Sequence, residues 1–365
     1  MTLSLSRRSF VAASAAAAAA FAIPTIVRAQ PKLEHIRLGF GTASISPIII
    51  NLLLPQYLGY YRDEGLDVEP IPLGSNVATL TNLMQGRVQF GTATPSFDLP
   101  ILARGEPLPV VNFYEYTYPF KYGLAVLPSS SIRTMRDCKG KHIGVSGFGE
   151  SEYPVGQALF RLIGMDPDKD VTWLAVGGDV AGGVALTSGK IDALMQYDTG
   201  FGAIEAAGIA LRYLKLPGNT PKVGGFFIDT TRETYGAHRD WAIGMGRAAA
   251  KASIFILENP EAAAYGFMQL FPEAVPKGKS LKEQIAAISI PIRKRMPLYR
   301  NYNRSITKWG YLNKREWQDE IVFGNFEGKV KDVGQLNSND LIDQINHFDP
   351  QKIVAQARAF KIPSA

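Results

Sequence analysis

Apolar and polar positions along this chain switch repeatedly between a period near two and a period near three and a half, the alternation of strands with helices. The clearest stretch runs from Gly74 to Ser96. Gly74-Ser75-Asn76 is a polar turn that can cap a helix, Val77, Leu80 and Leu83-Met84 recur at helical spacing, and Gly86 ends that helix before a short apolar strand, Val88-Gln89-Phe90. The polar loop Thr92-Ala93-Thr94-Pro95-Ser96 follows. In open α/β sheets ligands sit outside the carboxyl ends of strands, beside helix N-termini with unpaired N–H groups, so both loops are expected pocket walls.

The same grammar returns 103 residues later. Leu186-Thr187-Ser188-Gly189-Lys190-Ile191-Asp192 repeats helix end, glycine, basic residue and strand, with Gly189 in the place of Gly86 and Gly177 in that of Gly74. The strand Ile36–Phe40, followed by Gly41-Thr42-Ala43-Ser44, is echoed by His142–Ser146, followed by Gly147-Phe148-Gly149-Glu150. The repeat predicts two Rossmann-like α/β lobes whose strand-end loops face each other across a cleft. A run of unrelated βα units sharing turn chemistry stays open as the alternative.

Other elements follow the same logic. A helix is expected from Pro47 to about Arg62, and strands at Val68–Leu73 and Leu108–Val111. Tyr114, Tyr116, Tyr118, Phe120 and Tyr122 alternate at period two, on one face of an extended segment that either packs in a core or offers a flat ligand a stacking surface. The second lobe reads as helix Pro154–Ile163, strand Val171–Val176, helix Ala181–Ser188 and strand Ile191–Met195, with pocket loops at Gly147–Tyr153 and Gln196–Thr199. Gly224–Asp229 returns as a strand to the first lobe, and an amphipathic helix from Trp241 to Leu257 ends at Asn259-Pro260. Arg293 to Arg315 is locally basic and reads as a solvated face. The expected division is 30–120 for the first part of lobe 1, 121–223 for lobe 2, and 224–365 for the rest of lobe 1 with C-terminal helices. Hinge crossings are expected near Phe120–Leu124 and Gly224–Phe227.

Composition narrows the classes. The chain has 365 residues, 46% hydrophobic and 20% charged, enough apolar content for two cores. Residues 1–29 read as a twin-arginine-type signal peptide: Ser6-Arg7-Arg8-Ser9-Phe10, an alanine-rich apolar run, and Val27-Arg28-Ala29 before the cut. Ala12 stands where a lysine is common, so Sec export stays open. Removing Arg7, Arg8 and Arg28 lowers the formal charge from +6 to +3, too little to argue for nucleic acid. Cys138 is the only cysteine, excluding an intramolecular disulfide and a cysteine metal cluster.

No enzyme signature emerges. His35, His142, His238 and His347 have no metal-like spacing, no Gly-x-Ser-x-Gly elbow occurs, and Cys138, between Asp137 and Lys139, is expected in a surface turn unsuited to a nucleophile. The glycines at 147 and 149 lack the third glycine or Gly-Lys-Ser/Thr of a nucleotide loop. We therefore expect no catalytic residue, no metal and no cofactor. Glu150 and Asp198, in predicted pocket loops, are read as acceptors for ligand donors rather than as an acid/base pair.

The order of export signal, Leu-Gly-Phe strand, Tyr60-Tyr61-x-x-Glu64-Gly65-Leu66-x-Val68-Glu69, Leu83-x-x-Gly86-x-Val88-x-Phe90-Gly91 and Gly189-Lys190-Ile191-Asp192-Ala193 resembles the periplasmic solute-binding proteins of ABC importers, nitrate/sulfonate/taurine type. That group also includes receptors for thiamine pyrimidine precursors. The resemblance implies a type II two-lobed binding protein, periplasmic and monomeric, that closes on a small molecule and delivers it to an ABC permease and its ATPase. It implies ligand contacts in the loops after Phe40, Leu73 and Gly91 and at Gly147–Tyr153 and Gln196–Thr199. The expected ligand-binding residues are Ser44, Ser46, Asn76, Thr94, Ser96, Tyr114, Glu150, Ser151, Tyr153 and Asp198. These loops hold no arginine for a dianion, so a pyrimidine-like or amide-bearing aromatic ligand is favoured, while a sulfonate on helix N–H groups stays possible. An enzyme related to pyrimidine-precursor synthesis is the alternative, although its relatives carry a cysteine cluster that a single Cys138 cannot reproduce. A sensor half is disfavoured because no output segment follows Ala365.

Overall fold

Strand β1 (Glu34–Phe40) pairs in parallel with β2 (Leu66–Pro72). Between them run α1 (Ile50–Leu58) and α2 (Tyr60–Asp63). The one helix expected here is broken at Gly59, which takes φ 79°, a left-handed backbone that favours glycine. This computed structural model describes residues 32–330 and 333–363, so the signal-peptide reading of residues 1–29 lies outside the described residues. Among the described residues no helix is long and apolar enough to cross a membrane.

After β2 come α3 (Asn76–Met84), β3 (Gly91–Ala93), α4 (Pro95–Ala103) and β4 (Val110–Thr117). The α3 start is fixed by Ser75, whose Oγ accepts the Ala78 N–H at 3.1 Å. The strand expected at Val88–Phe90 forms later: Phe90 makes only a bridge to Leu38, and the ladder begins at Gly91. The chain then enters a second sheet through β5 (Tyr122–Val126), β6 (Lys141–Val145), α5 (Glu152–Leu162), β7 (Val171–Ala175), α6 (Val180–Thr187), β8 (Ala193–Tyr197), α7 (Asp198–Ala206) and β9 (Arg212–Tyr213). It returns through β10 (Phe226–Thr231) and continues with α8 (Arg232–Ala237), α9 (Arg239–Glu258), α10 (Pro260–Leu270), α11 (Leu281–Arg295), α12 (Lys314–Phe323), α13 (Ile342–Ile345) and α14 (Pro350–Ala359).

Strands β3, β10 and β4 form an antiparallel sheet, which the Leu38–Phe90 bridge joins to the β1-β2 pair, while the second sheet has the order β7-β6-β8-β5-β9. The chain therefore passes between sheets twice, after Thr117 and after Tyr213. Each sheet side has its own apolar core. Ile36, Leu38, Phe113, Met245 and Phe255 belong to one, and Leu124, Ile143, Leu159, Phe160 and Met195 to the other. The internal repeat survives in backbone detail: Gly74 and Gly177 take φ 82° and 85°, and Gly86 and Gly189 take φ 67° and 73°. The turns that end α3 and α6 are thus alike, whereas the starts differ: Ser75 caps α3 from an extended backbone, and Asp179 precedes α6 at φ 50°.

Cys138 corrects an expectation. It is fully buried against Ile143, Val145 and their neighbours rather than exposed, and burial pushes its thiol up to about 12.

Candidate functional site

The loops that leave the strand ends enclose a cavity of about 510 Å³ between the two sheets. One wall is Gly41–Ser44, Ser46, Ser75, Asn76 and Thr92. The facing wall is Ser146, Gly147, Gly149–Glu152, Gly177–Asp179 and Tyr197. Tyr116 and Phe226, from the two neighbouring strands β4 and β10, stack with ring centroids 5.8 Å apart and 2° between planes, and both face the cavity. The α3 N-terminus approaches because residue 41 is glycine: a Cβ there would meet the Asn76 amide nitrogen at 2.8 Å.

The two walls differ in charge. Every charged side chain that lines the cavity is acidic and comes from the second sheet's side: Glu150, Glu152 and Asp179. Glu152 is 1% exposed; its Oε1 accepts the Ser146 N–H at 3.1 Å, and its Oε2 has no partner among the described residues. Burial raises its carboxyl above the usual range. Burial and the neighbouring Glu152 push Glu150 up to about 8. Asp179 is also raised by burial, with the Tyr197 hydroxyl donating to it at 3.5 Å and pulling the other way. Opposite them the first wall offers hydroxyls, a carboxamide and helix N–H groups. Tyr122 fixes Ser151 by donating from its hydroxyl to Ser151 Oγ at 2.8 Å.

The structure brings Ser44, Ser46, Asn76, Glu150 and Ser151 together at this cavity. It puts the other expected contacts elsewhere. Thr94 is buried at the cap of α4, its Oγ1 3.4 Å from Ser96 Oγ, and neither lines the cavity, because β3 ends at Ala93 and the chain turns away. Tyr114 lies in the core against Gly246 and Gly310, three residues before the strand ends at Thr117. Tyr153 sits on α5 edge-on to Phe148 and Trp173 and takes a hydrogen bond from Gln157 at 3.2 Å. Asp198 turns from the cavity to Arg295, whose Nε donates to its carboxylate oxygens at 2.9 and 2.7 Å.

The expected ligand-binding residues left out Tyr116, Tyr197, Glu152 and Phe226, although Tyr116 is among the alternating aromatics and Glu152 and Tyr197 fall in the expected pocket loops. The strand-end rule finds Tyr116 once β4 is known to end at Thr117, since of the alternating aromatics it is the one at the carboxyl end. Glu152 gives no such signal, being the first residue of a helix and so reading as an ordinary favourable charge there.

No group of three or more His, Cys, Asp or Glu among the described residues is arranged to hold a metal.

A family model described as NMT1/THI5 like matches residues 46–263, more than half of the chain. Over 152 residues the chain is 32% identical to 4-amino-5-hydroxymethyl-2-methylpyrimidine phosphate synthase of Schizosaccharomyces pombe, a match spanning 40% of each protein. It is 24% identical over 328 residues to the riboflavin-binding protein RibY of Chloroflexus aurantiacus, covering 86% of this chain and 88% of that one. The periplasmic nitrate-binding protein NrtA of Synechocystis superposes with a TM-score of 0.60 at 14% identity, covering 92% of this chain and 100% of that one. The fold is that of the periplasmic binding proteins, α/β and two-lobed, as the repeat and the resemblance lead one to expect.

Proposed function

The chain belongs to the NMT1/THI5-like family, and from that premise we propose that it is an extracytoplasmic solute receptor of an ABC importer. The observation that carries the reading is the cavity walled by the strand-end loops of both sheets, where a small molecule contacts both sides at once. A receptor of this form gains affinity from contacts made only when both lobes touch the ligand, so closure and binding are one event. The lobes are 30–120 with 224–365, and 121–223, and the protein works as a periplasmic monomer delivered by a twin-arginine or Sec signal in residues 1–29. The ligand is a small organic molecule with a planar part, laid against Tyr116 and Phe226, and N–H donors for the carboxyl wall. That two matched proteins are named for a pyrimidine phosphate and for riboflavin, both planar nitrogen heterocycles, agrees with this chemistry.

The test is a thermal-shift screen of pyrimidines, flavins, aromatic amides and sulfonates. A ligand at 100 times its Kd adds roughly 2.7 kcal/mol of stability, a visible shift. Scattering then follows the radius of gyration, expected to fall on binding. Cell fractionation should find the mature chain outside the cytoplasm, and an adjacent permease and ATPase are expected in the genome. Full-length protein retained in the cytoplasm, or a screen silent throughout, defeats the receptor reading. The enzyme reading rests on the 32% identity, which spans 40% of the synthase. It predicts turnover of a bound pyrimidine precursor by the purified chain, whereas the receptor returns its ligand unchanged.

A further inference from the structure

Resting on the receptor reading, we infer that the ligand is an organic cation: its positive group, an amidinium, ammonium or protonated ring nitrogen, docks on the wall formed by Glu150, Glu152 and Asp179.

The charge balance of the cavity is one-sided. Three carboxyls line it and no lysine or arginine does. Two buried basic side chains lie outside the lining and have partners of their own: Arg295 is held by Asp198, and Lys121, which acts electrostatically on Glu152, donates to the Gly224 carbonyl and lies 3.6 Å from the Phe226 ring centre. Glu152 supplies an independent sign of a missing donor, since its Oε2 is buried at the cavity without a partner among the described residues while its Oε1 is satisfied by Ser146. An unpaired buried carboxylate oxygen is expensive, and a bound donor relieves it. A metal ion is the less suitable occupant, because the described residues hold no metal-type cluster of three such groups.

On the opposite wall Ser44, Ser46, Asn76 and Thr92 are neutral, so nothing there competes for the cation, and the α3 N-terminus favours the acceptor end of the same molecule. The bound molecule is thereby oriented, cationic group toward the second sheet and acceptors toward the first.

The groups facing the three carboxyls are Lys121, Tyr122 and Tyr197 from the second-sheet side and Tyr116 from the first, while Arg295, paired with Asp198, acts on Tyr122 and Tyr197 behind them. Burial keeps the proton on Glu150 up to about pH 8. A cation entering the cavity displaces that proton, so binding releases protons and tightens as pH rises.

Three matched planar probes, benzamidine, benzamide and benzoate, test the charge assignment by titration calorimetry in two buffers of different ionisation enthalpy. Benzamidine is expected to bind about tenfold or more tighter than either other probe, with proton release at pH 7 and affinity rising by up to tenfold per pH unit below about 8. Glu150→Gln and Asp179→Asn are each expected to weaken it by roughly ten- to hundredfold while leaving the melting temperature of the free protein equal or higher. Equal or tighter binding of benzamide, no binding of benzamidine, benzamidine binding without proton release, or benzamidine binding untouched by both variants overturns the inference. The first of these leaves the receptor reading standing, because a neutral planar molecule then fills the cleft. That reading falls on its own tests, a wider screen silent throughout or full-length protein retained in the cytoplasm.

Discussion

Arg295, fully buried, donates from Nε to both carboxylate oxygens of Asp198 at 2.9 and 2.7 Å, tying the end of α11 to the start of α7. The same guanidinium reaches the Ile48 carbonyl at 3.1 Å and the Thr117 hydroxyl at 3.3 Å, so one side chain joins the edge of the cavity, the end of β4 and the second sheet's side. Asp198 is therefore engaged by Arg295 and stands outside the cavity lining. Replacing it with alanine strands a buried guanidinium, and the expected loss is about 3–5 kcal/mol of stability. Urea unfolding of Asp198→Ala checks this; a loss confined to ligand affinity with an unchanged midpoint is the opposite result.

A second buried cluster spans both crossings between the sheets. Glu320 accepts the Gly224 N–H, Lys121 donates to the Gly224 carbonyl, and Glu115, Glu316 and Asp319 lie close by. Burial pushes Glu316 and Glu320 up to about 7. A carboxyl whose folded value exceeds its unfolded 4.5 binds more protons when folded, so its contribution is full below about 4.5 and is lost as pH rises through 7. Lys121, lowered by burial and Arg295, works in the opposite sense at higher pH. The clean measurement is the difference between parent and Glu320→Gln. Between pH 5 and pH 8 the parent should lose on the order of 1–3 kcal/mol more than the variant. Parallel pH profiles would show that Glu320 titrates normally.

How far the sequence carries the fold is visible in Gly74, Gly86, Gly177 and Gly189. Their spacing announces a repeat, and the left-handed backbone at all four shows that the spacing recorded turn geometry. The site was legible where it depends on loops that follow strands, as for Ser44, Ser46, Asn76, Glu150 and Ser151. It was illegible where a tertiary partner decides which way a side chain turns. Nothing near Asp198 in sequence points to Arg295, 97 residues away, and nothing near Tyr114 reveals that Gly246 and Gly310 make room for its ring. Strand ends placed a few residues off suffice to exchange Thr92 for Thr94 and Tyr116 for Tyr114.

The repeat makes a stability prediction of its own. A Cβ at Gly86 or Gly189 meets no atom within 4 Å, so alanine there is opposed only by the positive φ. Gly86→Ala and Gly189→Ala should each cost about 1–2 kcal/mol, similar in the two lobes and additive in the double variant. Chemical denaturation of the three proteins decides it, and a markedly unequal pair would mean that the two turns are not equivalent.

The stacked pair of Tyr116 and Phe226 gives the last prediction. Phe226 faces the cavity on one side of its strand, and the Lys121 ammonium lies 3.6 Å from its ring centre, so the aromatic floor and the crossing segment share one residue. Leucine at this position keeps an apolar side chain of similar bulk but removes the flat face. Phe226→Leu should weaken a planar ligand by about 0.5–1.5 kcal/mol, roughly two- to tenfold in Kd, because the ring–ring contribution beyond area burial is lost. A small non-planar ligand should lose nothing. Melting-shift titrations of the parent and Phe226→Leu with one compound of each kind measure the contrast, and equal losses for both would mean that Phe226 shapes the cavity without stacking on what it holds.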